Sequence, residues 1–132
     1  MKKVMAQGTF DILHPGHLYY FNQSSSLGDE LTVVISRDSR IADKKNTYFD
    51  ENDRKKMVDA LEMVERAVLG SEGDIYSTVR EVDPDVITLG YDQPHEVEKV
   101  KQMAEEATGH EVKVVRVEAK EPYSSSKIRN DQ

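Results

Sequence analysis

Short apolar runs alternate along the chain with segments whose apolar residues recur at helical spacing. The runs are β-branched and nearly continuous, which is typical of strands buried on both faces of a sheet. They predict five strands, at residues 3–7, 31–35, 67–69, 86–89 and 112–117. Because strands and helices alternate at this spacing, the pattern indicates an α/β fold with a parallel sheet and helices on both faces.

Amphipathic segments between these strands predict the helices. The first follows Pro15, places Leu18 and Phe21 on one face and stops near Gly28. Three more are predicted at residues 54–64, 74–82 and 96–108, and one or two helical turns at 124–129. The polar stretch 37–50 breaks the alternation and is predicted to be a long loop. Such loops are often functional lids, although a solvated insertion accounts for the composition equally well.

The length and composition of the chain exclude several classes of protein and of functional site. The chain of 132 residues fits one domain over residues 1–132, and without cysteine it has no disulfide, thiolate catalysis or cysteine zinc site. Its formal net charge of −7 predicts a surface that repels nucleic acid and anionic membranes. No apolar run approaches the roughly 20 residues of a membrane span, and the first residues turn polar too soon for a signal peptide. We therefore expect a cytoplasmic protein.

The most informative segment is GTFDILHPGH at residues 8–17, between the first strand and the first helix. Parallel α/β proteins place ligand loops at this position. Gly8 and Gly16 let backbone approach a ligand closely, and Pro15 is preset for the start of a helix. The free N–H groups and the dipole at that helix start attract a phosphate.

Two histidines of this segment, His14 and His17, are three residues apart and face the same point if the turn between them is helical. Two imidazoles there can donate to phosphate oxygens and stabilise the charge that develops when a nucleophile attacks an α-phosphate. A packing role is the first alternative. Zinc is the second, but His95 and His110 lie far along the chain and Asp11 alone is too few ligands.

The segment resembles the signature of the HxGH nucleotidyltransferase superfamily, which includes cytidylyltransferases, pantetheine-phosphate adenylyltransferase and FAD synthases. The resemblance runs from about residue 3 to 128. It implies a Rossmann-like, doubly wound, five-stranded parallel sheet of order 3-2-1-4-5 in three layers. It also implies that His14 and His17 are catalytic and bind the triphosphate. Nucleotide-binding residues implied beside them are Thr9, Phe10, Pro15 and Gly16.

The loop after the fourth strand is a second candidate site. In the implied order, strands 1 and 4 are neighbours at which the winding reverses, and ligands bind in that crevice. Gly90 permits close approach there, and Asp92 can accept hydrogen bonds from a ribose or base. Composition alone describes an ordinary turn with an Asp cap. The resemblance implies nucleoside binding by this loop.

A serine-rich segment near the end of the chain, residues 123–129, is a third candidate site. Hydroxyls and backbone N–H groups at a helix start can hold phosphates, although a frayed tail has the same composition. The segment is similar to the terminal serine motif of the superfamily. That similarity implies nucleotide binding by Tyr123, Ser125 and Ser126.

Cationic residues in and after the loop complete the candidates. The resemblance implies that one loop lysine, Lys44 or Lys45, reaches a substrate phosphate, and we take Lys44 as the catalytic one. Arg54 matches the position of a family arginine near the phosphates. An exposed helix charge is an equal interpretation of Arg54.

Among the members of the superfamily, the chain is most similar to archaeal FAD synthases. The motifs that carry this similarity, besides residues 8–17, are LGSEGD at 69–74, LGYDQ at 89–93 and PYSSSKI at 122–128. It implies transfer of AMP from ATP to FMN, giving FAD and pyrophosphate. Mg²⁺ or another divalent cation is expected on the substrate phosphates, near Asp11. It also implies a homodimer.

Two other functions stay open. A glycerol-3-phosphate cytidylyltransferase would use CTP, but such enzymes carry Arg-Thr-x-Gly where this chain has Glu121, Pro122 and Tyr123 before the serines. A nucleotide-binding module without turnover is the other alternative.

Overall fold

The computed structural model describes residues 1–40, 47–71, 74–91 and 93–118. All its strands share one sheet of order β3-β2-β1-β4-β5, in which every neighbouring pair is parallel. The strands are β1 (Lys3–Gly8), β2 (Glu30–Ile35), β3 (Arg66–Leu69), β4 (Val86–Gly90) and β5 (Lys113–Val117). The predicted strand order and class are therefore confirmed.

Within the described ranges, four α-helices cover the two faces of this sheet. They are α1 (Pro15–Ser25), α2 (Glu51–Asp59), α3 (Ile75–Val82) and α4 (Val97–Thr108). On one face Phe21 of α1 and Val58 of α2 pack against side chains such as Val4. On the other face Val79 of α3 and Ala104 of α4 pack in a second cluster. The alternation of β1 side chains between the two clusters gives the predicted three layers.

The end of α1 differs from the prediction. The helix stops at Ser25, and its cap residue Ser26 is right-handed, so Gly28 is not a helix stop. A Cβ on Gly28 would lie 2.7 Å from Val4 Cγ2, which explains why glycine suits a link packed tightly on β1. Leu18, expected on the buried face with Phe21, is 37% exposed.

The limits of α2 also differ from the predicted 54–64. Asp50 caps the helix by accepting a hydrogen bond from the Asp53 amide at 2.9 Å, so α2 begins at Glu51. It ends at Asp59, whose carboxylate accepts from the Ala67 amide at 2.7 Å. The pattern missed the cap because Asp50 lies in a polar stretch.

Two predicted segments lie partly or wholly outside the described residues. The predicted loop 37–50 contains a short 3₁₀ helix, Asp38–Arg40, and residues 41–46 are not described. The predicted turns at 124–129 are not described either. Within the part of the chain that the structure describes, no helix has the length and apolar character of a membrane span.

Candidate active site

The start of α1 is built around two histidine side chains. His14 is the N-cap residue, and its Nδ1 accepts a hydrogen bond from the Gly16 amide at 3.0 Å. In return, the His14 amide donates to Nδ1 of His17 at 3.3 Å. The two histidines thus play the parts that Ser and Glu play in a capping box. Their rings stack with centroids 3.9 Å apart and an interplanar angle of 29°, so the structure brings the predicted pair together.

The hydrogen bonds of the pair fix where each neutral ring carries its proton. Because Nδ1 accepts in both rings, the proton of the neutral form is on Nε2. Burial, and then the neighbouring His14, lower the pKa of His17 from 6.5 to about 4. His17 is therefore a neutral N–H donor at pH 7.

The aromatic ring of Phe10 supports this arrangement from the core. Phe10 has a left-handed backbone (φ 51°), is 7% exposed and contacts the His17 ring edge-on, with centroids 5.5 Å apart. A Cβ on Gly8 would lie 2.6 Å from Cζ of Phe10. The space at Gly8 is thus filled by the Phe10 ring, whereas the sequence suggested an approach for a ligand.

The backbone amides at the start of α1 are also placed differently from the prediction. Pro15 has no N–H, and the Gly16 amide donates to the His14 ring. The amides of His17 and Leu18 donate to the His14 carbonyl at 2.9 and 3.3 Å. These amides therefore have hydrogen-bond partners within the turn. An anion at this helix start would interact with the imidazoles and with the helix dipole.

Asp11 binds the last residues of the loop 37–50, just before α2. Its carboxylate accepts from the amides of Tyr48 at 2.6 Å and Phe49 at 2.8 Å. Each carboxylate oxygen thus accepts one backbone hydrogen bond, and the cation predicted on the substrate phosphates near Asp11 stays a prediction. Among the described residues no group of three or more His, Asp or Glu side chains is placed to hold a metal ion. The predicted loop lysines, Lys44 and Lys45, lie outside the described residues.

Arg54 is not an exposed helix charge, because its residue is 0% exposed. Its Nη2 pairs with Asp38 Oδ1 at 2.7 Å, and Nη1 donates to the Thr9 carbonyl at 2.9 Å. Its Nε donates to the Phe49 carbonyl at 3.2 Å. A buried guanidinium needs such partners to offset the loss of hydration. Arg54 therefore connects α2 to Thr9, at the start of the segment that leads to the two histidines.

The end of β4 is held by two residues that the sequence analysis missed. Gln93 accepts from the Gly90 amide at 3.2 Å and donates to the Gln7 carbonyl of β1 at 2.8 Å. Arg116 of β5 donates to the carbonyls of Gly90 at 2.9 Å and Gln93 at 3.0 Å, and to that of His95. An arginine between the valines of β5 was the available signal for the second of these residues.

The structure thus places Thr9, His14, His17 and Gly90 at the carboxyl ends of β1 and β4, where the winding of the sheet reverses. Phe10, Pro15 and Gly16 lie in the same turn, whereas four predicted nucleotide-binding residues lie outside the described part of the chain. They are Asp92, Tyr123, Ser125 and Ser126.

Comparison with known proteins shows relatives over almost the whole chain. The sequence model of the family described as cytidylyltransferase-like matches residues 5–131. A protein named FAD synthase from Methanocella paludicola is 46% identical over 129 residues, which cover 96% of this chain and 92% of that protein. Another of that name, from Haloferax volcanii, is 46% identical over 121 residues, covering 92% of this chain and 84% of that protein.

Two solved structures are similar as well. One, described as a lipopolysaccharide core biosynthesis protein from Thermoplasma volcanium, has a TM-score of 0.85 and 46% identity, over 92% of this chain and 99% of that one. The other, a protein of unknown function from Archaeoglobus fulgidus, has a TM-score of 0.68 and 23% identity, over 89% of each chain. The second likeness concerns the fold alone.

Proposed function

This chain belongs to the cytidylyltransferase-like family, and we propose that it is an FAD synthase that transfers AMP from ATP to FMN with release of pyrophosphate. The observation that carries the chemistry is the stacked pair His14 and His17 at the start of α1. The choice of ATP and FMN is supported by relatives named FAD synthase that align with nearly the whole chain.

The reaction needs little from the protein besides position and charge stabilisation. A phosphate oxygen of FMN forms a bond to the α-phosphorus of ATP, and the bond from that phosphorus to the bridging oxygen of pyrophosphate breaks. The FMN phosphate is largely ionised at pH 7, because the second pKa of a phosphate monoester is about 6. No side chain has to remove a proton from the nucleophile, so neutral imidazoles suffice.

In this proposal His14 and His17 donate from Nε2 to the non-bridging oxygens of the α-phosphate. Their bonds strengthen as negative charge grows on those oxygens, which stabilises the transition state more than the bound substrate. Because the protons of both rings are fixed on Nε2 by the capping hydrogen bonds, the donors are oriented before ATP arrives. Pro15 and Gly16 set the turn that carries them.

Other predicted residues complete the proposed site. Lys44 is proposed to neutralise a substrate phosphate. The ribose, base and outer phosphates are assigned to Thr9, the backbone of Phe10, Gly90, Asp92, Tyr123, Ser125 and Ser126. Mg²⁺ is proposed to enter with the triphosphate as part of the substrate, on its phosphates and near Asp11.

The experiment mixes the protein with ATP, FMN and Mg²⁺ and measures FAD and pyrophosphate together. FAD and pyrophosphate in equal amounts support the proposal. CTP with glycerol 3-phosphate is the matched control, because the family is described as cytidylyltransferase-like. Pyrophosphate release only in that control would replace the proposed activity. ATP binding with no acceptor modified would favour a nucleotide-binding module.

We also propose a single domain that forms a homodimer in the cytoplasm and does not bind nucleic acid. The net charge of −7 supports the last of these points. Light scattering of the purified protein tests the dimer directly, and a monomer mass at micromolar concentration would contradict it.

A further inference from the structure

The neighbouring strands β1 and β4 stop pairing before they end. Their parallel register includes Val4 with Val86 and Met5 with Ile87, whereas β1 pairs with β2 along its whole length. Continuing the first register would bring Gln7 opposite Leu89 and direct the Gly90 amide to the Gln7 carbonyl. That bond would close the sheet at the point where the winding reverses and where ligands bind.

The carboxamide of Gln93 stands between these two backbone groups. Its Oε1 accepts from the Gly90 amide at 3.2 Å, and its Nε2 donates to the Gln7 carbonyl at 2.8 Å. Two hydrogen bonds to the carboxamide thus replace one direct bond between the strands. Both backbone groups have a partner, and the carboxamide between them keeps the strands apart. A shorter side chain cannot span the gap, and an apolar one cannot bond to either group.

Arg116 holds the same loop from the other neighbouring strand. Its guanidinium donates to the carbonyls of Gly90, Gln93 and His95. The backbone that carries the Gln93 side chain is therefore fixed to β5 while the side chain reaches β1. A carboxamide held from both sides is positioned to keep the crevice open before any ligand enters.

We propose that Gln93 is a positioning residue for the nucleotide, which wedges β1 and β4 apart so that the nucleoside of ATP can enter between them. This inference rests on the proposed function for the identity of the nucleotide. Gln93 acts on nucleotide binding and not on transfer of the AMP group, because it is bonded to the strand ends and not to the histidine pair. FMN binding is unaffected in this proposal.

The test compares Gln93→Met, which keeps the volume but bonds to neither strand, with Gln93→Asn, which keeps the carboxamide but is one methylene shorter. Each variant is expected to raise KM for ATP about tenfold, the effect of two lost hydrogen bonds, with kcat within about threefold of wild type. KM for FMN should stay the same. The matched control is Gln102→Met at an exposed glutamine of α4, which should change none of these constants.

Several results would overturn the proposal. An unchanged KM for ATP in both variants, an equal loss for ATP and FMN, or a fall in kcat alone each contradicts it. Unfolding of both variants, seen by circular dichroism, would make Gln93 a purely structural residue. If the wild type makes no FAD, the proposed function fails by itself, and calorimetric Kd values for ATP in the same variants still decide the role of Gln93.

Discussion

The starts of α1 and α2 are both capped by a side chain, but only the start of α2 carries negative charge. At α2, Asp50 caps the helix, and Glu51 and Asp53 add carboxylates to its first turn. At α1, His14 caps the helix and its first turn has no acidic residue. A carboxylate cap satisfies the amides and the dipole with the charge of the protein itself, whereas the histidine cap satisfies the amides and leaves the dipole to attract an anion from solution.

The residue type at the N-cap of α1 therefore reflects function as well as helix stability. Asp, Asn or Ser would cap α1 at least as well as histidine. Histidine combines an acceptor at Nδ1, used for the cap, with a donor at Nε2 on the other side of the same planar ring. The local fold and the proposed phosphate site therefore share the same two side chains.

The largest effect is expected from His14→Asp, which gives α1 the same carboxylate cap as α2. The helix should remain capped, but a carboxylate would repel the triphosphate and one donor would be lost, so we expect kcat/KM for ATP to fall by about 10³-fold or more. Steady-state kinetics and thermal melting measure the two effects. The neutral cap His14→Asn should lose less activity, and equal losses would argue against a charge effect.

His17→Ala removes the second donor without adding charge. We expect kcat to fall by about 10²- to 10³-fold, as for loss of one preorganised donor, while the circular dichroism spectrum stays that of the wild type. The His14 amide loses its partner, so a small drop in melting temperature should accompany the change. A variant that does not fold would show that His17 is structural, and a fully active one would remove it from the proposed chemistry.

The low pKa of His17 should appear in the pH dependence of stability. His17 titrates near 6.5 when unfolded and at about 4 when folded. Between these two pKa values the unfolded state binds more protons than the folded state. The free energy of unfolding of the protein should therefore fall by up to about 3 kcal/mol as the pH drops from 7 to 4. Urea denaturation of wild type and His17→Ala isolates this term, because other groups titrate in both. Identical slopes in the two proteins would contradict the burial of a neutral ring.

The smallest effect is expected at α2. Asp50→Ala removes a carboxylate cap that has no part in the proposed chemistry, so stability should fall by about 1 kcal/mol while kcat/KM stays within twofold. Thermal melting and the FAD assay measure both quantities on one sample. A large loss of activity in this variant would show that the two helix starts are not as separate in function as their charges indicate.

Much of the fold could be predicted because it depends on local pattern. The strands β2 and β4 follow from their β-branched runs. The helix predicted at 96–108 ends in the structure at Thr108, and Gly109 follows it with a φ of 78° that suits glycine. The start of α2 could not be placed, because its cap Asp50 carries no apolar period. The histidine pair was found because its spacing places both rings on one turn.

The α/β class and the place of the two histidines follow from the order of the amino acids, and the resemblance implies the strand order. The surroundings of the histidines depend instead on contacts between distant parts of the chain. Asp11, Arg54, Gln93 and Arg116 each bond to backbone groups that are distant along the chain or on another strand. Backbone amides and carbonyls are the same in every residue, so no side-chain pattern marks which of them will meet a given carboxylate, guanidinium or carboxamide.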